Sequence, residues 1–203
     1  MKYTELRPTI KTGDLVFTAG NHLISKAIKE SIGSRWTHLS MAVWGRDLGP
    51  THEADRLYVW EATGKGVGEQ DFAEASATPG ADFLSRLLSP GAGDIMLRRL
   101  EVERTPEMLA ALRAHCDEMR GRPYKIDKMQ MLRCRYPWLG KNEQDLTSLF
   151  CWEAVAAAYQ AMGLLPVDPP ANTYPIWQFT SKYDSELPLL LGARLGEEIS
   201  VQL

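Results

Sequence analysis

Two hydrophobic periods alternate along the chain. A period of two runs through Trp36-Thr37-His38-Leu39-Ser40-Met41-Ala42-Val43-Trp44 and predicts a strand with Leu39, Met41 and Val43 on one face. His38, Ser40 and Ala42 take the other, less apolar face. Short apolar runs predict further strands: Leu15-Val16-Phe17-Thr18 after a Gly13-Asp14 turn, Leu57-Tyr58-Val59-Trp60-Glu61-Ala62, and Asp94-Ile95-Met96-Leu97-Arg98-Arg99-Leu100. The Leu57 run is expected to pair with the His38 strand as a hairpin. Helical spacing links Leu23, Ile24, Ala27, Ile28 and Ile32 up to Gly33. It recurs at Met108, Leu112, Cys116 and Met119, with Thr105 as N-cap, Pro106 at the first helical position and Gly121 as the stop. That stripe assigns Cys116 to the core.

The strongest helix signal is Ser148-Leu149-Phe150-Cys151-Trp152-Glu153-Ala154-Val155-Ala156-Ala157-Ala158-Tyr159. Its alanine run has high helix propensity, Ser148 is the expected N-cap, and Gly163 followed by Pro166 closes it. Elsewhere the pattern is weaker. Residues 45–56 read as a polar loop, and Gly64, Gly66 and Gly68 as a turn between strands, their spacing matching neither phosphate-binding glycine motif. Residues 69–93 read as irregular with a short helix over 83–88, and residues 126–135 as helical up to Pro137. Pro166, Pro169, Pro170 and Pro175 predict a long loop over the surface that ends near Phe179-Thr180-Ser181. There is no internal repeat.

Composition narrows the class. With 203 residues, 44% apolar and 24% charged, the chain suits one domain over residues 1–203. A net charge of −3 and a pI near 5.8 argue against a nucleic-acid partner. Three cysteines without CxxC spacing point to neither a disulfide framework nor a zinc site. His22, His52 and His115 share no ligand spacing, so neither metal nor cofactor is expected. The start lacks an apolar h-region and the Leu149 to Leu165 window is short for a span. The expectation is a cytoplasmic product without signal peptide or membrane span, which any export would have to carry by a leaderless route.

One position then stands out chemically. Cys151 in the first turn of its helix lies near the positive end of the macrodipole and near unpaired N–H groups, which favour a thiolate and a developing oxyanion. The same residue also suits a small apolar anchor in the core. A cysteine nucleophile needs an imidazole to take its proton and a polar group to hold the ring. His38 and Glu61 sit on strands expected to be neighbours, and Glu61 is a carboxylate in an otherwise apolar run that requires a partner if buried. They can meet only if the strand register brings Glu61 to the His38 face. Cys134, between Arg133 and Arg135, is the rival nucleophile. Glu153 is expected to complement the helix dipole or a basic neighbour.

In order, the motifs Gly13-Asp14-Leu15-Val16, Thr37-His38-Leu39-Ser40-Met41-Ala42-Val43, Val59-Trp60-Glu61-Ala62 with Gly66-Val67, Pro123-Tyr124, and Phe150-Cys151-Trp152-Glu153-Ala154-Val155 resemble the circularly permuted papain-like cysteine hydrolases of the NlpC superfamily, in their YiiX/YaeF-like branch. The resemblance spans roughly residues 12–181. It implies an α+β fold, a central antiparallel sheet with the nucleophile-bearing helix packed against it. It implies Cys151 as nucleophile, His38 as base and Glu61 as the group orienting the imidazole. Trp152 departs from the family, which usually has a small or hydroxyl residue there, and narrows the expected cleft. Tyr124, Trp152, Tyr174 and Trp177 are the expected substrate-binding side chains. The implied activity is an amidase or endopeptidase acting on peptide or peptidoglycan-fragment amides. A secretion system or an immunity protein would be the partner of an exported effector. Alternatives on the same scaffold are a lipid acyltransferase or thioesterase, a glutamine deamidase, and a silent binding domain.

Overall fold

The computed structural model describes residues 1–19, 34–63, 66–71, 94–124 and 145–202, together with Met129, Gln130, Arg133, Tyr136 and Trp138. Strands β1 (Leu15–Thr18), β2 (His38–Trp44), β3 (Leu57–Thr63), β4 (Gly66–Asp71), β5 (Ile95–Glu101) and β6 (Arg194–Val201) form a sheet in the order β4-β3-β2-β1-β5-β6. Every neighbouring pair is antiparallel. Helices α1 (Tyr3–Leu6), α2 (Gly45–Leu48), α3 (Pro106–Met119) and α4 (Cys151–Ala161) complete the described framework. The expected helix over Leu23 to Ile32, the helix over 83–88 and most of the 126–135 segment lie outside the described residues.

The alternation in β2 works as the spacing predicts. Leu39, Met41 and Val43 are fully buried in the larger core with Trp60, α3 and α4. Such side chains contribute roughly 1.5–3 kcal/mol each. The opposite face differs from expectation: it is covered too, with Ala42, Val16, Leu57, Val59 and Leu97 packed under Leu6 and Ile10 of the N-terminal segment. A small or hydroxyl residue such as Ala42 or Ser40 on that face therefore marks close packing, not solvent.

Helix α3 begins as its sequence requires, with Pro106 at the first position and the Thr105 hydroxyl accepting from the Met108 N–H at 3.3 Å. Its stripe of Met108, Leu112, Cys116 and Met119 is buried. Helix α4 is buried on all sides from Cys151 to Tyr159, so it is a central helix and not a surface one. It packs on β2 and β3. The Tyr159 hydroxyl donates to the Gly13 carbonyl at 2.6 Å and ties the helix to the entry of β1.

Some expectations are corrected. A helical turn, α2, sits inside the supposed loop 45–56, because Gly45 allows the backbone to press against residue Glu53: a Cβ there would lie 2.0 Å from the Glu53 carbonyl oxygen. The proline-rich segment after α4 is not a surface loop. Its short 3₁₀ turns carry Ala171, Ile176 and Phe179 into the core at 0% exposure. Prolines interrupt the hydrogen-bond ladder there while the apolar side chains still drive burial. The C-terminal strand β6 has no sequence counterpart, since it pairs only with β5 and leaves most of its side chains at the surface.

Candidate active site at the start of strand β2

The β2–β3 ladder runs from Trp44 opposite Leu57 to Met41 opposite Trp60, so His38 and Glu61 both lie just past its end. His38 Nε2 lies 2.6 Å from Glu61 Oε2, a charge-assisted distance. The carboxylate is 1% exposed and the imidazole 21% exposed, so the pair opens to solvent only through the ring.

The Cys151 thiol is the imidazole's second partner. Burial alone would push the His38 pKa down, but the adjacent Cys151 and Glu61, through charge and hydrogen bonding, outweigh it and raise it from 6.5 to about 10. The same imidazole therefore adjoins both Glu61 and the Cys151 thiol. His38 is the first residue of β2 and Cys151 the first of α4, so the three groups meet where strand and helix both begin. The N-cap, however, is Phe150 and not Ser148. Phe150 has no capping oxygen. Glu153 instead turns back to accept from the Phe150 N–H at 3.3 Å, which is the dipole-complementing role expected of it. The N–H groups of the first turn have no partner within a helix.

Aromatic rings back the cysteine. Phe150 stacks on Trp152 with centroids 4.8 Å apart and planes 9° apart, and Tyr124 meets Phe150 edge-on at 6.2 Å. A single β-bridge between Tyr124 and Leu149 sets this geometry. Burial, and then the charge of Cys151, raise the Tyr124 hydroxyl well above its ordinary range, so Tyr124 borders the thiol. Trp152 is 2% exposed, and its ring is stacked on Phe150 in the core. Tyr174 is buried directly after the 171–173 turn that packs on α4, while Trp177 is partly buried against the same core.

The other candidates fall elsewhere. Cys116 is fully buried, and burial lifts its thiol far above the ordinary range, which makes it unreactive. His115 lies edge-on to Trp60, its pKa pushed down to about 4 by burial, so it is a neutral core residue. His52 contacts Thr51 and Tyr58. Cys134 and His22 lie outside the described residues. Among the described residues no group of three or more His, Cys, Asp or Glu side chains is placed to hold a metal ion, and no helix is long and apolar enough to cross a membrane.

No family model matches the chain, and no curated protein matches it. Among solved structures it is similar to the crystal structure of the metalloprotein YiiX from Escherichia coli O157:H7, DUF1105. The likeness has a TM-score of 0.51 at 18% identity, and covers 95% of this chain and 96% of that one. Nearly the full length of the chain therefore adopts a YiiX-like α+β fold built on a six-stranded antiparallel sheet.

Proposed function

We propose that the chain is a cysteine hydrolase of circularly permuted papain-like type, in the NlpC superfamily, acting on a peptide amide through Cys151, His38 and Glu61. The observation that carries this reading is the 2.6 Å contact of His38 Nε2 with the buried Glu61 carboxylate, made by a ring that also adjoins the thiol at the start of α4. Against the cost of burial, the adjacent Cys151 and Glu61 raise the imidazole pKa to about 10, so at neutral pH the ring holds the proton that it later gives to the leaving amine.

In the proposed reaction Cys151 Sγ forms a bond to the amide carbonyl carbon while the carbonyl π pair moves onto oxygen. The Cys151 N–H helps hold that oxyanion. Collapse breaks the C–N bond, and His38 gives its proton to the leaving amine. Water, deprotonated by the neutral imidazole, then cleaves the thioester and regenerates the thiol. Glu61 keeps Nε2–H pointed away from the sulfur, so that Nδ1 carries the transferred proton. The similarity to a metalloprotein adds no step here, because the described residues offer no cluster of donors that fits a metal.

The test is incubation of purified murein fragments and, separately, lipid esters with the wild type and with Cys151→Ala, with products identified by mass spectrometry. Release of a free amine and carboxylate from murein peptides by the wild type alone is expected. Cleavage that survives Cys151→Ala rules the proposal out, and turnover of esters without peptides replaces amidase by acyl-transfer chemistry.

A further inference from the structure

A second cavity system lies away from Cys151. One depression of about 460 Å³ is lined by Lys11, Asp14, Arg99, Glu101, Arg104 and Arg194. Another of about 610 Å³ is lined by Trp44, Arg46 and Asp47 and again by Lys11, Arg99 and Arg104. Lys11, Arg99 and Arg104 line both depressions, so the two adjoin along a groove between the N-terminal segment and the end of β5. The groove borders the Tyr159 end of α4, since Tyr159 bonds Gly13 next to Asp14. Eight residues of helix separate Cys151 from Tyr159, about 12 Å at 1.5 Å per residue.

The charges in this groove are unequally compensated. Asp14 is spent inward: its carboxylate accepts from the Lys11 and Leu100 N–H groups, each at 3.0 Å, and from Arg104 at 2.9 Å. Glu101 pairs with Arg194 at 2.5 Å. Asp47 accepts from the Thr12 hydroxyl. Lys11 is exposed and has no carboxylate partner among the described residues. Among the described residues Arg99 is held by the Thr9 carbonyl and hydroxyl alone, at 2.6 Å each. Those two bonds fix the guanidinium plane and leave further N–H donors unspent. On a chain with net charge −3, a fixed guanidinium and a free ammonium in one groove form a local positive site.

We propose that this groove binds a phosphate-bearing anion, with Arg99 as a pre-oriented fork and Lys11 as the closing charge. A planar fork matches two phosphate oxygens, and the ammonium reaches a third without needing a fixed direction. The phosphate can belong to a soluble molecule or to a lipid headgroup.

The experiment is a calorimetric titration of the full chain with inorganic pyrophosphate at about 0.01 M salt, where screening is weak, in parallel with sedimentation on phosphatidylglycerol and phosphatidylcholine vesicles. Saturable one-to-one binding is expected, weakened about tenfold or more in Lys11→Glu and in Arg99→Gln. Lys11 is exposed, so Lys11→Glu is expected to melt like the wild type and keeps the test independent of folding. Pyrophosphate binding without vesicle binding assigns a soluble phosphate. Phosphatidylglycerol binding that pyrophosphate displaces assigns a headgroup. Absence of saturable binding to either, or equal binding by wild type and Lys11→Glu, overturns the proposal.

Discussion

Glu61 is the most direct handle on the candidate active site, because the geometry separates its charge from its hydrogen bond. Glu61→Gln keeps an acceptor near His38 Nε2 but removes the charge, whereas Glu61→Ala removes both. A hydrogen bond to a charged group contributes about 1.5–3 kcal/mol and a neutral one about 0.5–1.5 kcal/mol. Losing the charge alone should therefore reduce the rate of Cys151 labelling at neutral pH by about five- to tenfold, at about 1.4 kcal/mol per factor of ten. Losing both should reduce it by about ten- to a hundredfold. The assay is the rate of Cys151 carbamidomethylation from pH 5 to 10, read by peptide mass spectrometry, with thermal melting as the control for folding. In the wild type the 2.6 Å contact, which holds the imidazole beside the thiol, predicts faster labelling than in either variant. The variants should lose that advantage in the order Gln, then Ala. Equal rates for wild type and Glu61→Ala across this range, with melting unchanged, would refute the role given to the carboxylate.

Four further outcomes follow from the same coordinates. His38 holds a proton in the folded state that the unfolded chain releases between pH 6.5 and about 10. Its stabilising contribution is therefore complete below pH 6.5 and lost as pH rises to 10, so urea midpoints should fall over that window more steeply in the wild type than in His38→Gln. His115 acts with the opposite sign: its pKa near 4 means the unfolded chain binds the extra proton, so wild-type stability should drop from pH 6.5 towards 4, and His115→Phe should flatten that limb of the curve. Alkylation of native protein should spare Cys116, whose thiol burial pushes far above the ordinary range, until denaturant is added. Arg98, also fully buried, binds Asp184 and the carbonyls of Phe179, Leu195 and Gly196; Arg98→Met should destabilise by about 3–5 kcal/mol through those orphaned acceptors, measured by chemical denaturation.

Local chemistry alone determined a good part of this protein. The alternation through Leu39, Met41 and Val43 dictates a strand, the Thr105-Pro106 start and the Met108 to Met119 stripe dictate α3, and the alanine run dictates α4, because each pattern is satisfied by neighbours in the chain. A thiol in the first turn of α4 was legible for the same reason. What lay beyond reach were features set by partners distant in sequence. β6 carries little hydrophobic signal and exists because β5 offers it a free edge. The proline-rich segment is buried because α4 presents an apolar surface to it. The N-cap moved to Phe150, whose own N–H donates to the Glu153 carboxylate one turn on. Above all, the contact of His38 with Glu61 depends on a ladder register that no local pattern encodes, since sliding β3 by one residue would carry its carboxylate to the other face of the sheet.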